Sequence, residues 1–594
     1  MLSIYKASAG SGKTFTLTRE YLRMLLQMPL YPNEIRLPHT RILAVTFTKK
    51  ATAEMKERIL RELYVLAYSP EESCYISDFL SDKKIQLDLL QIQEKALCLL
   101  IGILQDYTRF SVSTIDGFFQ QVIRTFAMEL GLSVTYDLAM DGEEMVQQAV
   151  DDIFVRIRES RHEDKQLISW MLDYIQGNID NAKRWDPSSS IKGFSFELLK
   201  ERLMRKMDAI QQVFSNKETM KQYRAQLLHI CQSSEQKVAA LLQQCRDIFA
   251  TEEGWNKVLV KSFYGSPTKW LSGELGTNFI NVLNDPTTIC PKATKKVQQE
   301  HLLNIYTQQL QPLFQELYEI CTGNTLSDYI TANAILPNLY TMGILQDVAQ
   351  QIETTNRNLG RLPISETNHL VNLIIDGQDA PFIYERIGQR YRHYMIDEFQ
   401  DTSALQWENF YPLIQEAESN GQNQANLIVG DVKQSIYRFR NSDWHTLIQV
   451  PNQFQNTTMP KMEYNFRTAP QVILHNEKVM HAYSNWVADT IDQITGLPHL
   501  SQDIRTMYSS EEMHQKPAKS YDGYLHMQFF EGKKTREAQF NAMLEQIQAL
   551  EQENIDLGRI AILVRYKKEA KAVSEFLIER GYNVQSSEGL IVGS

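Results

Sequence analysis

The run Ala7-Ser8-Ala9-Gly10-Ser11-Gly12-Lys13-Thr14 carries the most specific chemistry in the sequence. It follows the short apolar stretch Leu2-Ser3-Ile4-Tyr5 and precedes a helical pattern over 15–26. A strand, a Gly-rich turn and a helix N-terminus make an anion cradle, because unpaired backbone N–H groups and the positive end of the helix dipole converge on one point. Gly10 and Gly12 let the backbone approach phosphate oxygens with no Cβ in the way. Lys13 supplies a point charge for the β and γ oxygens, and Thr14 a hydroxyl for Mg²⁺. Ala9, Gly10, Ser11, Gly12, Lys13 and Thr14 are therefore expected to hold the phosphates of a nucleotide. The usual first glycine of such a loop is Ala7 here.

A phosphate loop of this kind needs a carboxylate partner, and one stands far downstream. Tyr394-Met395-Ile396-Asp397-Glu398-Phe399-Gln400-Asp401-Thr402 reads as a short apolar strand ending in two acids. Asp397 would hold Mg²⁺, and Glu398 would take a proton from an attacking water. A further strand, Leu427-Ile428-Val429-Gly430, runs into Asp431-Val432-Lys433-Gln434-Ser435-Ile436-Tyr437-Arg438-Phe439-Arg440. There Gln434 is placed to sense a γ-phosphate, while Tyr437 and Phe439 either present rings to bases or pack inward. A loop touching both ligands is what hydrolysis-driven movement requires, since coupling needs an element biased by both sites.

Three smaller features complete the set. Thr46-Phe47-Thr48 ends an apolar β-branched run over 41–48 and is followed by Lys49-Lys50. Its hydroxyls suit a strand phosphate and its ring a base, although the run also reads as an ordinary buried strand. Phe110-Ser111-Val112-Ser113-Thr114-Ile115-Asp116-Gly117-Phe118-Phe119 repeats the strand-then-polar-turn arrangement, with Thr114 and Asp116 at the strand end. Arg467, in Glu463-Tyr464-Asn465-Phe466-Arg467-Thr468, is either an arginine finger for charge developing on a transferred phosphoryl group or a surface ion-pairing residue.

These residues need a large α/β scaffold. The chain has 594 residues, 43% of them hydrophobic, enough for several packed cores. A net charge of −11 argues against a protein that coats nucleic acid, but leaves room for a local basic channel. Six scattered cysteines with no Cys-x-x-Cys pair read as reduced core residues, and no apolar run approaches the ~20 residues of a membrane helix. The expectation is a cytoplasmic protein with no membrane contact.

Periodicity places helices over 49–66, with Met55, Ile59, Leu63 and Leu66 on one face, and over 82–104. From about 128 to 385 the pattern is mostly helical, clearest over 145–157, 196–214 and 297–318, and reads as an inserted helical domain. Within it, between Trp255 and Lys296, lysines alternate with Trp255, Phe263, Tyr264, Trp270 and Phe279. Such a mixture serves either as a nucleic-acid surface or as a solvated loop with its rings tucked inward. Helices are expected over 404–416 and 470–483, then a polar linker over 501–520. A strand over 523–530, a helix over 535–552, a strand over 559–564 and a helix over 568–580 give a second βαβα pattern, unfinished at Ser594.

Taken in order, these motifs resemble the superfamily 1 DNA helicases of the UvrD/Rep type, and within them the RecB and AddA subunits of bacterial helicase–nucleases. The resemblance rests on 7–14, Thr-Phe-Thr-Lys-Lys-Ala (46–51), Thr-Ile-Asp-Gly-Phe (114–118), Asp-Glu-Phe-Gln-Asp-Thr (397–402), the 430–440 loop and Asn-Phe-Arg-Thr (465–468). The family accepts alanine at position 7.

The resemblance implies an α/β protein of P-loop, RecA-like parallel-sheet domains with a large inserted α-helical domain. Residues 1–127 and 386–450 would be domain 1A, 128–385 the insertion 1B, and 451–594 an incomplete domain 2A. It also implies ATP and Mg²⁺ as cofactors and a catalytic set of Lys13, Glu398, Gln434 and Arg467. Thr14 and Asp397 would be the metal ligands, and Phe466 would lie against adenine. Phe47, Thr48, Thr114, Phe118, Tyr437 and Phe439 would line a single-stranded DNA track.

The activity so implied is an ATP-dependent, 3′→5′ helicase or translocase of double-strand break repair and recombination, acting on single- and double-stranded DNA with an AddB/RecC-like partner. A motor of an anti-phage complex, or a nucleotide-switched DNA-binding scaffold, are the competing readings. No glutamine motif precedes residue 7, and Asp116 stands where the family has His. The later Thr-x-His-x-x-Lys-Gly-Leu-Glu and Ala-Leu-Thr-Arg-Ala motifs are missing. The chain is thus expected to be part of a longer protein, any exonuclease domain to lie outside it, and hydrolysis by these residues alone to be weak.

Overall fold

Three short runs, Ile42–Thr46 (β2), His393–Ile396 and Asn426–Gly430, are wholly buried, and a fourth, Leu2–Lys6 (β1), buries Leu2 and Ile4. Strands covered on both faces belong to a parallel sheet, and that is what they form. The structure, a computed structural model, describes residues 2–29, 37–127, 137–139, 142–159, 165–180, 182, 184–214, 216–291, 294–363, 367, 370–372, 387, 390–419, 425–532 and 535–586. Further strands in chain order are Val112–Thr114 (β3), Asp137–Ala139 (β4) and Arg361–Pro363 (β5), with His393–Ile396 as β6, Asn426–Gly430 as β7, Thr457–Thr458 as β8, and the two-residue strands Tyr464–Asn465 (β9) and Lys516–Pro517 (β10). The main sheet has the order β3-β2-β6-β7-β1-β8 with parallel pairs throughout, while β4 and β5 pair separately.

Alternation along these strands sorts their side chains between two cores. Ala44, Met395, Leu427 and Val429 face one layer, built from Leu17, Tyr21 and Leu25 of the Lys13–Gln27 helix and Met55, Ile59 and Leu63 of the Lys49–Tyr68 helix. Leu43, Val45, Tyr394, Ile396 and Ile428 face the other, built from Phe118, Phe119, Trp407, Phe410 and Leu413. The expected amphipathic face at 55, 59, 63 and 66 is the buried one.

The chain divides into two compact units, Met1–Asn465 and Phe466–Ser594. The first runs past residue 450 because β8 pairs with β1 and Lys461 bridges to Lys6. Within it the helical stretch has a core of its own, drawn from Val146 to Ile352 and spanned by the 35-residue helix Lys217–Thr251. Here the structure decides the Lys/aromatic stretch. Trp255, Phe263, Trp270 and Phe279 are buried, with Phe263 packed against Trp270 at 5.1 Å and Phe314 at 5.1 Å. Only Tyr264 of the five is exposed, beneath Arg246. The rings pack into this core together with Leu259 and Val282 of the same short helices, because large aromatic side chains gain most from leaving water.

Other expectations are corrected in detail. The 196–214 pattern is broken into Phe196–Leu199, Glu201–Met204 and Met207–Phe214. The 297–318 pattern is interrupted by a π turn at Tyr306–Leu310 just ahead of Pro312, whose missing N–H cannot close the regular bond. Of the six cysteines, Cys231, Cys245, Cys290 and Cys321 are buried, but Cys74 and Cys98 are exposed.

In the second unit the helices Pro470–Thr495, Arg536–Gln552 and Lys567–Ile578 form as expected. The expected strands over 523–530 and 559–564 do not, since neither finds a neighbour among the described residues to share a hydrogen-bond ladder. The 501–520 linker instead carries two short helices, Gln502–Met507 and Ser510–Met513. Arg505 ties the first to Asp489 and Asp492 of the long helix at 2.8 and 2.7 Å. No described helix is long and apolar enough to cross a membrane.

Candidate functional site

The loop after β1 is shaped by two left-handed glycines, Gly10 (φ 80) and Gly12 (φ 84), at which any side chain would be strained. Ala7 N–H still belongs to the sheet, donating to Gly430 O at 3.1 Å, and Ser11 N–H closes a turn onto Ser8 O. The Lys13–Gln27 helix then begins with no side-chain cap and no acid in its first turn. Its first N–H groups and the positive end of its dipole stay available to an anion. Asn465 Nδ2 donates to Ala9 O at 3.1 Å and pins the loop from behind.

Across the β7 strand, β6 ends in the acidic pair. Asp397 N–H donates to Val45 O, and Glu398 takes a left-handed conformation (φ 52) that a non-glycine residue adopts only under constraint. That turn brings Glu398 Oε2 to 2.7 Å from Lys13 Nζ. Loops 385 residues apart thus share one ion pair at the C-terminal edge of the sheet. The Asp397 carboxyl is raised to about 7, first by burial and then by Glu398, with Lys13 opposing. Asp401 is raised to about 6 for the same first two reasons. Carboxyl oxygens crowded in this way are the hard donors that Mg²⁺ takes, and Thr14 follows Lys13 in the first turn of its helix.

The third loop closes the site. Gln434 Nε2 donates to Ala7 O at 3.3 Å and to Asp431 Oδ2 at 2.9 Å, while Lys433 pairs with Asp431 Oδ1 at 2.9 Å. Gln400, to which the motif pattern alone gives no role, links this loop to the acids. Its Nε2 donates to Glu398 Oε2 at 2.7 Å, its Oε1 accepts Asp431 N–H at 3.0 Å, and its carbonyl accepts the Ser435 hydroxyl. The one signal of it in the sequence is an amide two residues past a carboxylate, in the turn Glu398-Phe399-Gln400-Asp401.

A few residues on, the loop turns aromatic. Phe47 lies 4.6 Å from Tyr437, Tyr437 lies 5.9 Å from Phe439, and the Arg440 guanidinium rests over the last two rings. Phe439 is 72% exposed. This is a cationic, ring-bearing shelf of the kind on which unpaired bases stack.

The threonines have a local duty: Thr48 caps the Lys49–Tyr68 helix through Ala51 N–H, and Thr114 caps the Ile115–Thr125 helix through Gly117 N–H. Phe118 is a correction. It is 3% exposed and stacked on Phe410 at 5.5 Å, so its ring belongs to the core and not to a DNA track. Phe466 and Arg467 open the second unit, where Phe466 is exposed and Arg467 O accepts from Lys519 Nζ.

Residues 3–455 match the family described as the UvrD/REP helicase N-terminal domain. The chain is also similar to curated proteins. An ATP-dependent helicase/nuclease subunit of Staphylococcus epidermidis is 22% identical over 497 residues, covering 79% of this chain and 37% of that protein. The protein of the same name from Staphylococcus aureus is 24% identical over 479 residues, covering 75% and 35%. The exonuclease/helicase subunit RexA of Streptococcus pneumoniae is 22% identical over 518 residues, covering 79% and 37%. The chain therefore spans little more than a third of the length of these relatives.

Proposed function

Because the chain belongs to the UvrD/REP helicase family, we propose that it carries the motor of an ATP-dependent DNA helicase. In this reading it couples ATP hydrolysis to 3′→5′ movement on single-stranded DNA during double-strand break repair and recombination. The observation that carries the reading is the 2.7 Å contact of Lys13 Nζ with Glu398 Oε2, which gathers phosphate loop and acidic pair into one place.

Lys13 and the uncapped N-terminus of its helix neutralise the β and γ phosphates, and Thr14 with Asp397 holds Mg²⁺. ATP supplies the phosphoryl group that is transferred to water. Glu398 accepts that water's proton. While Lys13 is paired with Glu398 the base is engaged, so a phosphate that draws Lys13 away also frees the carboxylate. Gln434 reports on the γ position from a loop whose next turn carries Tyr437 and Phe439. With Phe47, they hold bases along the strand.

Residues 1–127 and 386–450, with 451–465 joined to them through β8, serve as domain 1A, 128–385 as the insertion 1B and 466–594 as part of domain 2A. In this reading Phe466 is the ring that stacks on adenine and Arg467 the arginine finger. The relatives' printed names make them subunits of a helicase/nuclease, and an AddB/RecC-like partner in the cytoplasm fits the same reading.

The test is DNA-stimulated ATPase of the full-length protein. Lys13→Ala and Glu398→Gln should each cost about a hundredfold or more, the scale of losing a general base or a phosphate clamp. Activity retained in both overturns the assignment.

A further inference from the structure

The helical insertion meets the sheet-bearing part of the first unit through a polar joint that hydrolysis itself does not use. Glu201, in the short turn Glu201–Met204, is 8% exposed, and its carboxylate accepts the Ser403 hydroxyl at 2.6 Å and Leu405 N–H at 3.4 Å. Both donors sit at the N-terminus of the Ala404–Ser419 helix, whose dipole favours an anion there.

Ser403 and Gln406 already satisfy each other reciprocally, Gln406 N–H to Ser403 Oγ and Ser403 N–H to Gln406 Oε1, both at 3.1 Å. The hydroxyl proton of Ser403 is left for Glu201. The spare amide of Gln406 goes to Asp116 Oδ1 at 2.9 Å.

The same stretch of the insertion is gripped a second time. Asn441, left-handed at φ 68, accepts Glu201 N–H on Oδ1 at 3.2 Å and donates from Nδ2 to Leu199 O at 3.4 Å. Residues 199–201 are therefore held by two loops at once. One is the continuation of Asp397–Thr402, which carries Glu398 and Gln400. The other follows directly on Tyr437–Arg440, which carries the exposed rings.

We propose that Glu201 and Asn441 form the clasp through which the helical insertion and the two ligand loops move together, with Glu201 a positioning residue for DNA-stimulated hydrolysis. The inference rests on the motor reading above. Simple docking does not call for a buried carboxylate, because desolvating one costs several kcal/mol that an apolar residue of similar size avoids. Here the carboxylate fixes the start of one loop's helix, while its own backbone is fixed by the end of the other loop. A shift of either loop relative to its neighbour must be passed to residues 199–201, or break four hydrogen bonds.

The experiment compares the full-length protein with its Glu201→Gln and Asn441→Gly variants. The first removes one acceptor. The second deletes both amide bonds but keeps the left-handed backbone that glycine adopts freely. ATPase is measured without DNA and with saturating oligo(dT), together with oligo(dT) affinity.

The clasp predicts that in both variants the stimulation by DNA falls at least about fivefold, the low end of coupling between two sites. The DNA-free rate and the affinity should stay within about twofold. Stimulation unchanged in both variants, or a DNA-free rate that falls in step with the stimulated one, overturns it. Absence of any DNA stimulation in the unsubstituted chain overturns the motor reading and the clasp with it, whereas intact stimulation in all three proteins overturns the clasp alone.

Discussion

Gln400 donates to Glu398 Oε2 at 2.7 Å from the same amide whose oxygen accepts Asp431 N–H at 3.0 Å. The carboxylate read as general base is thereby aimed by a residue that also anchors the loop beyond β7. A hydrogen bond to a charged group is worth about 1.5–3 kcal/mol, so Gln400→Ala should lower kcat about ten- to hundredfold. The KM for ATP should change little, because Gln400 faces the base and not the phosphate loop. Gln400→Glu keeps the shape but loses the donor and sets a second negative charge against Glu398, so its kcat should be no higher. Steady-state ATPase separates the two parameters, and a raised KM at unchanged kcat would assign Gln400 to binding instead.

Gly430 makes room for that arrangement. A Cβ at this position would lie 2.9 Å from Gln400 Oε1, 3.1 Å from Leu447 Cδ2 and 3.3 Å from Gln400 N. The backbone and the packed leucine have little space to give, so Gly430→Ala should displace the Gln400 amide. It is expected to reproduce the kcat loss of Gln400→Ala and to cost about 1–3 kcal/mol of stability, the usual scale of overpacking. The double variant should lose little more activity than either single one, since both break the same contact. Additive losses in that cycle would show that Gly430 acts elsewhere.

The reasons why some of this was legible in the sequence and some was not are physical. The phosphate loop is written in consecutive residues, Gly10 to Thr14, because its geometry is local: two left-handed glycines and a helix start. The acidic pair was legible because a strand end and its turn are also local. Gln400 was not, since its meaning lies in partners on two other loops. Nor was Glu201, whose partners lie about two hundred residues away. Phe118 misled, and Trp255 stayed open between two readings, for one reason. An aromatic next to a polar turn has the same local sequence whether its ring faces a base or a core, and only packing against Phe410 or Phe249 decides. The strands expected over 523–530 and 559–564 failed in the same way, because a ladder is a property of two segments.

Two buried carboxyls, Asp397 and Asp401, also set a pH dependence. Asp397 is raised to about 7 and Asp401 to about 6, from 3.8. A folded-state pKa above the unfolded value means that the native protein holds protons that the unfolded chain has released. Between about pH 4 and 7 their contribution to stability therefore falls as pH rises. In the metal- and nucleotide-free protein, Asp397→Asn is neutral throughout. It should melt higher than the unsubstituted protein at pH 8 and lose that advantage at pH 5. Thermal melts at the two values check the sign, and an advantage that grows toward pH 5 would contradict it. Mg²⁺ should narrow the difference at pH 8 by pairing with the ionised carboxylate.

The exposed rings and the buried one should part company under substitution. Phe47, Tyr437 and Phe439 form a continuous shelf at 4.6 and 5.9 Å, with Arg440 over its outer end. Stacking on a base contributes about 1–3 kcal/mol, so Tyr437→Ala and Phe439→Ala should each weaken oligo(dT) binding roughly five- to hundredfold. Phe439→Ala, mostly solvent-exposed, should leave the melting temperature nearly unchanged. Phe439→Trp should retain binding, because any π-face serves. Phe118→Ala removes a ring packed on Phe410 and Phe119 inside the core, and should cost about 3–5 kcal/mol of stability. Its oligo(dT) affinity, measured well below the melting transition, should be close to that of the unsubstituted protein. Fluorescence anisotropy with labelled oligo(dT), run beside thermal melts, reads both quantities. An affinity lost on Phe118→Ala at full foldedness would return that ring to the DNA track. An affinity unmoved by Tyr437→Ala and Phe439→Ala together would remove the shelf from it.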